Sequence, residues 1–303
     1  MSDPAETFEP YRRHLLGLAY RMLGSMADSE DAVQETYLRW HKADRNSVSN
    51  ARAFLMTATS RICLDMLTSA RTRHEEYVGP WLPEPVLDTA ALAPDSRTDL
   101  AEDLSVALLM TLDRLSPLER AAFLLHDVFD FSFSEVAAAL ERSEAACRQL
   151  AARARAHVRD VRPRGVTPRM ERSNEIDRKH AELLSAFAAA IQSGDLNRLT
   201  QLLARDVRVV TDGGGKVRAA LNVVEGGDRA AQFLIEVTRK RPGQWWRDDF
   251  TTRLGIINGL PGVIVEAPKG VVQTTAFEIE NDVICALYVV RNPDKLRHLA
   301  TAQ

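Results

Sequence analysis

The sequence of 303 residues is sparing in several things at once. It has three cysteines, Cys63, Cys147 and Cys285, with no paired spacing, which indicates neither a disulfide framework nor a zinc site; they read as small apolar residues. No window approaches the roughly eighteen consecutive apolar residues of a membrane-spanning helix. The opening MSDPAETFEP is acidic, unlike a secretory leader, so the expected location is the cytoplasm, with no membrane partner. An excess of either charge is missing too. Lys and Arg total 39 against 42 Asp and Glu, a formal net charge of -3. That excludes a uniformly basic nucleic-acid binder, but not one whose positive charge is gathered in one place. With 45% hydrophobic and 27% charged residues the chain is globular rather than disordered, and its length allows two or three domains.

The positive charge is gathered. Between Arg142 and Arg164 stand Arg142, Arg148, Arg153, Arg155, Arg159, Arg162 and Arg164 against only Glu144 and Asp160. A basic run on a helix also suits a plain solvated face, so its context decides. The first block, to about Tyr77, reads as three helices. In the first, Tyr11, Leu15, Leu18 and Met22 share a face and Gly24 closes it. The second begins near Asp28, with apolar stripe Val33, Tyr37 and Trp40 and an opposite face of Asp31, Gln34, Glu35 and Leu38. The third runs from about Ala51 to Arg71 on Leu55, Ala58, Ile62 and Met66. A proline-rich connector follows (79–100), holding Trp81, whose apolar surface seeks cover.

The second block (101–163) is again helical. SPLE, at Ser116 to Glu119, supplies a capping serine, proline at the first helical position and glutamate three residues on. A short helix SEVAAAL, capped by Ser134, leads through ERSE into the long basic helix starting at Ser143. Two helices joined by about four residues form a helix-turn-helix pattern. A further connector (164–177) precedes the third block (178–303). There helices around His180–Ile191 and Leu196–Leu203 are followed by alternating runs VRVVT, KVRAALNVV, GVIVEA, VVQTTAFEI and VICALYVV. Helices first and antiparallel strands afterwards predict an α+β domain, with IEND as a hairpin turn.

The string DGGGK, at Asp212, Gly213, Gly214, Gly215 and Lys216, is not a phosphate-binding loop, because Val217 follows the lysine where Ser or Thr is required. It predicts a tight hairpin turn.

Residues 8 to 160 resemble the extracytoplasmic-function sigma factors of bacterial RNA polymerase. LAYRMLGSMADSEDAVQETYLRW is similar to the family's segment that includes the polymerase-binding helix. ARAFLMTATSRICLDMLTSAR resembles the segment facing the minus-ten element, and LSPLERAAFLLHDVFDFSFSEVAAAL the module that reads minus-thirty-five. WLPEP in the connector, DGGGK, and NPDKL at Asn292, Pro293, Asp294, Lys295 and Leu296 resemble the subgroup with a fused SnoaL-like extension, the SigJ-like group. The resemblance implies two all-α sigma domains, the second a helix-turn-helix, followed by an α+β cone like nuclear transport factor two.

It also implies core RNA polymerase, through the clamp helices of its largest subunit and its flap, and promoter DNA as partners. No catalytic residue, metal or cofactor is implied. The face of Asp31, Gln34, Glu35 and Leu38 would meet polymerase. Ser143, Glu144, Ala145, Arg148 and Gln149 would face base edges, with Arg153 and Arg155 on phosphates. Arg52, Arg61, Arg71 and Arg73 are the cations available for promoter melting; Arg61 could instead pair with Asp65 one turn on.

Glu141 stands where the family's turn usually has glycine, at a backbone position that tends to need positive φ, at a cost of about 1 kcal/mol. The loop Asp44 to Asn50 lacks the aromatic wedge of housekeeping sigma factors, which leaves single-strand capture to polar and backbone contacts. Trp81, Leu82 and Pro83 of the connector, with DGGGK and NPDKL, are the expected regulatory contacts. Alternatively the cone binds or converts a small ligand, with a carboxylate such as Asp212 as the acid or base.

Overall fold

The computed structural model describes residues 4–44, 48–75, 77–87, 92, 104–160, 174–239 and 249–301. The side chains of Arg71, Arg73, Arg162 and Arg164, and residues 45–47 of the Asp44–Asn50 loop, lie outside that description. The chain divides into two compact units, Met1–Glu76 with Asp88–Pro163 and Tyr77–Leu87 with Arg164–Gln303. The two helical modules therefore form one unit. The WLPEP segment of the connector belongs to the other.

The first unit opens with α1 (Pro4–Leu23), α2 (Met26–Lys42) and α3 (Ala51–Glu75). Leu15, Leu18 and Met22 of α1 are fully buried, and Gly24, at φ +67, donates its N–H to the Tyr20 carbonyl and ends the helix. Ser25 caps α2 by accepting the Asp28 N–H. The second module contains α4 (Val106–Asp113), α5 (Pro117–Phe123) running into one π-turn (Leu124–Val128), α6 (Phe133–Leu140) and α7 (Glu144–Asp160).

Ser116 and Glu119 make the expected capping box. The cap of α6 is Ser132, not Ser134. Ser132 has Glu135 three residues on and closes a reciprocal box with it, whereas Ser134 has Ala137 there and cannot. Glu141 takes the left-handed turn, at φ 55 and ψ 47. Ser143 then caps α7 by accepting the Ala146 N–H.

The second unit has α8 (Asn174–Ser193), α9 (Leu196–Leu202), β1 (Leu203–Asp212), β2 (Val224–Glu225), α10 (Gly227–Arg239), then β3 (Thr251–Ile257), β4 (Leu260–Ala267), β5 (Gly270–Glu280), β6 (Val283–Val290) and a closing 3-10 helix (Pro293–Thr301). The strands make one sheet in the order β2-β1-β6-β5-β4-β3. Leu184 and Phe187 of α8, Leu199 of α9 and Ala230, Ala231 and Ile235 of α10 pack with Val209, Phe277 and Leu287 of the sheet to form its core. This is the expected α+β cone.

Three strand readings change. β1 pairs with β6 in parallel, although antiparallel strands are predicted. The chain between them carries β2, α10 and three further strands, and such a long crossover can return in either sense. KVRAALNVV supplies only the two-residue β2. The Gly213 carbonyl takes the N–H groups of Lys216 and Val217 and the Thr211 hydroxyl takes that of Ala220, so the intervening backbone is held in a loop. β3, not predicted, forms a hairpin with β4 through Asn258 and Gly259, both at positive φ. The IEND hairpin is present, with Asn281 and Asp282 at φ 50 and 61. No helix among the described residues is long and apolar enough to cross a membrane.

Candidate functional site

On α2, Ala32, Val33, Thr36 and Trp40 are buried, which turns Asp31, Gln34, Glu35 and Leu38 to solvent. Leu38 is 43% exposed, an apolar residue in an otherwise polar surface. Glu35 pairs with Arg39 at 3.1 Å. The basic helix α7 buries Cys147, Leu150, Ala151, Ala154 and Val158. Its other face presents Ser143, Glu144, Ala145, Arg148 and Gln149 at the N-terminal end. There Arg148 pairs with Glu144 at 2.9 Å and lies 4.6 Å from the centre of the Phe133 ring. Arg153 bonds Glu119 at 2.7 Å and stays exposed; Arg155 bonds Asp127 at 2.7 Å and is half-buried.

Arg52 and Arg61 are partly exposed, and both are already bonded within the helical unit. Arg52 donates to the Phe129 carbonyl at 2.6 Å and lies 5.0 Å from the Phe131 ring centre. Arg61 pairs with Glu141, at 3.1 Å, instead of Asp65, and donates to the carbonyls of Ala138 and Ala139, both at 2.9 Å. A guanidinium thus caps the C-terminal end of α6, where unsatisfied carbonyls carry the negative end of the helix dipole. Deeper in the unit, Arg120, 4% exposed, donates to the Met22 carbonyl and pairs with Asp113 at 3.2 Å.

The densest polar cluster lies in the other unit, around Asp212 at the end of β1, which is fully buried. One carboxylate oxygen accepts the Tyr77 hydroxyl at 2.5 Å and the Gly214 N–H at 3.0 Å. The other accepts the Leu82 N–H at 2.9 Å and the Lys295 ammonium at 2.7 Å. Lys295 also donates to the Leu82 carbonyl and lies 4.4 Å from the Trp81 ring centre and 4.9 Å from that of Tyr77. Asn292 closes the circle, its amide donating to the Tyr77 hydroxyl at 3.0 Å and its backbone N–H to the Asp212 carbonyl. Burial and then the hydrogen bond to Asp212 push the Tyr77 phenol well above its ordinary range.

DGGGK, NPDKL and the connector are therefore brought together. Gly214 is at φ +59, and a Cβ there would stand 2.2 Å from the Asn292 amide nitrogen; Gly215 faces Val78. Among the described residues Lys216 pairs with Asp294 and not with the connector, and that hydrogen bond is the chief cause holding the Asp294 carboxyl below its ordinary value. Leu82 and Pro83 are buried, and Leu296 packs in the interior.

Three participants, Tyr77, Asn258 and His298, lie outside the strings that the sequence singles out. Tyr77 stands just beyond the helical pattern of α3. Asn258 donates its N–H to the Val86 carbonyl at 2.8 Å and accepts the Val86 N–H on its side chain at 3.1 Å. His298 meets the Pro85 carbonyl at 2.8 Å, with Glu84 at 3.8 Å from its ring. Only the Asn-Gly dipeptide, a hairpin signal, could have pointed at Asn258. Among the described residues no group of three or more His, Cys, Asp or Glu is placed to hold a metal.

The family model for Sigma-70 region 2 matches residues 7–73, and that for Sigma-70, region 4, matches residues 105–158. The ECF RNA polymerase sigma factor SigJ of Mycobacterium tuberculosis (strain ATCC 25618 / H37Rv) is 39% identical over 297 residues, 95% of this chain and 91% of its own length. The probable ECF RNA polymerase sigma factor SigI of the same strain is 29% identical over 299 residues, 97% and 95% of the two chains. The crystal structure of M. tuberculosis SigJ matches with a TM-score of 0.70 and 35% identity, covering 96% of this chain and 97% of that one.

Proposed function

Because the chain belongs to the extracytoplasmic-function sigma factors of RNA polymerase, we propose that it is an alternative sigma factor whose SnoaL-like domain adjusts promoter engagement in cis, by holding the connector between its two helical modules. It binds core polymerase, recognises promoter DNA and starts transcription. The face of Asp31, Gln34, Glu35 and Leu38 docks on the clamp helices of the largest subunit, and the second module meets the flap. Exposed Leu38 supports this, since it gives a polar patch one apolar anchor.

Arg148 and Gln149, near the start of α7, read base edges in the major groove, while Arg153 and Arg155 bind phosphates. Arg52 and Arg61 reach the minus-ten segment only after leaving the carbonyls they cap. The contacts of Arg52 and Arg61 thus make the described arrangement of the two modules a resting one.

The observation that carries the regulatory part is the buried Asp212 carboxylate, which takes hydrogen bonds from Tyr77, just ahead of the connector, from Leu82 within it and from Lys295. Between the last turn of α3 and the start of α4 the chain has one path, and its first eleven residues are anchored on the sheet domain. Gating of this kind requires anchored and released states within a few kcal/mol of one another. A catalytic role for Asp212 is disfavoured, because its carboxylate is fully buried and both oxygens already accept hydrogen bonds, from Tyr77, Gly214, Leu82 and Lys295.

The test is transcription in vitro with purified core polymerase. Full-length chain should direct initiation, and Asp212→Asn, if it keeps its fold by circular dichroism, should change the rate of open-complex formation. Unchanged initiation by the folded variant would remove the cis role. Failure of core polymerase to recruit the full-length chain to any promoter would remove the proposal entirely.

A further inference from the structure

The core of the sheet domain is not solid. A cavity of about 110 Å³ lies between the sheet and helices α8 and α10. Phe187, Phe233 and Phe277 contribute aromatic wall, with Phe187 and Phe277 already edge to face at 5.4 Å. Into this apolar space β5 turns two polar side chains, Gln273 and Thr275. Gln273 is only 8% exposed, and its one side-chain hydrogen bond is to the Thr275 hydroxyl at 3.2 Å. The other end of its amide has no partner among the described residues. That end is not among the sealed unsatisfied polar atoms of the described residues, so it stands accessible and free to bond an incoming group.

We propose that this cavity is a binding site for a small uncharged ring compound carrying one hydroxyl group, and that its occupancy shifts the hold on the connector. Volume sets the size: an engineered apolar cavity of ~150 Å³ accommodates benzene, so this one takes a single ring. Edge-to-face packing against the phenylalanines favours an aromatic one. A hydroxyl both donates and accepts, and so completes Gln273 whichever end of the amide is open. The polar groups of the described wall are all neutral (Thr211, Thr238, Gln273 and Thr275), so among the described residues nothing lining the cavity would pair with a carboxylate or ammonium, and a neutral ligand is favoured. The neutral wall also favours binding over turnover, since neither amide nor threonine hydroxyl ionises near neutral pH.

The path to the connector is two residues long. Thr211 and Val289 line the cavity and are partners in the β1–β6 pairing. The next pair is Asp212 and Val290, and the Asp212 carbonyl accepts the N–H groups of Arg291 and Asn292. A ring that pushes on Thr211 and Val289 therefore moves the backbone carrying the Asp212 carboxylate.

The effector role rests on the connector reading above; the binding site does not. With phenol, toluene and benzoate as probes on the full-length chain, the methyl signals of Val289 should shift with phenol. Phenol should bind at least tenfold more tightly than benzoate. In Gln273→Leu the advantage of phenol over toluene should fall from about tenfold to about one. Val237→Phe, which fills the cavity, should abolish phenol binding even if the Gln273 variant does not fold. No phenol-dependent shift, or equal binding of benzoate, overturns the site.

Hydrogen exchange at the Leu82 amide should change at least threefold with phenol bound. Binding with no change at Leu82 overturns the effector role while leaving the connector reading intact. Phenol binding in a protein whose transcription ignores Asp212→Asn overturns the connector reading and leaves the site.

Discussion

Charge joins segments in both units, but in opposite surroundings. In the helical unit Arg61 and Glu141 pair with side chains 41% and 73% exposed; in the sheet unit Lys295 and Asp212 pair at 9% and 0%. A pair in water is worth roughly 0–1 kcal/mol and weakens with salt, so a competing phosphate can replace it. Removing one member of a buried pair instead strands the other, at a cost of about 3–5 kcal/mol. The difference suggests a division of labour. On the proposed reading, contacts that DNA displaces are left in solvent, whereas the hold on the connector is buried.

The comparison breaks first at Asp212. Asp212→Ala should leave the Lys295 ammonium and the Leu82 N–H without their acceptor, destabilising the sheet unit by about 3–5 kcal/mol. Hydrogen exchange at Leu82 and Val86 should accelerate together, with the helical unit unchanged. Protection of Leu82 as strong as in the parent chain would mean that the connector is held by packing alone.

Tyr77→Phe removes one bond to the same carboxylate and should cost about 1.5–3 kcal/mol, as for a hydrogen bond to a charged acceptor. It also fixes a pH dependence. The folded phenol titrates above its ordinary value of 10.0, so its contribution is complete below that pH and is lost as pH rises through the folded value. Exchange at Leu82 should therefore quicken in alkali in the parent chain more steeply than in Tyr77→Phe. Parallel profiles would show that the phenol does not hold the connector.

The fold was legible where its signals are local. The SPLE box and the Gly24 stop each depend on residues within a few positions, whereas the left-handed turn at Glu141 follows from the family resemblance alone. Ser132 over Ser134 is a local signal too, carried by Glu135 three residues on. What stayed hidden is non-local. The parallel β1–β6 pairing and the Lys295–Asp212 bond join residues about eighty positions apart, and nothing near Lys295 distinguishes it from a solvated lysine. The family strings DGGGK, WLPEP and NPDKL put the right segments forward without saying which atom binds which. Lys216 is the exposed charge of DGGGK, yet the contact with the connector falls to the buried charge, Asp212, whose carboxylate has four partners.

On the exposed side of the comparison, Arg148→Ala should relax promoter discrimination by about 1–3 kcal/mol, measured as relative affinity for matched and mismatched minus-thirty-five duplexes. Arg153→Ala should weaken all duplexes alike and flatten the salt slope by about one. Arg155 is a less clean probe, since it is tied to Asp127 and its removal also disturbs packing of α7. Equal, sequence-independent losses for Arg148→Ala and Arg153→Ala would end the distinction between base and phosphate contacts.

The smallest effect on stability carries the sharpest sign. Glu141→Gln keeps the turn's side-chain size and removes the charge facing Arg61, so the helical unit should lose less than ~1 kcal/mol. If Arg61 serves the promoter only after leaving α6, weakening its hold there should raise the rate of open-complex formation, most visibly at low salt where the pair is strongest. Arg61→Ala should lower that rate, because the DNA contact is lost along with the internal one. A rise in Arg61→Ala equal to that in Glu141→Gln would make Arg61 an internal fastener alone. A fall in both would mean that the described packing of the two modules assists promoter opening instead of delaying it.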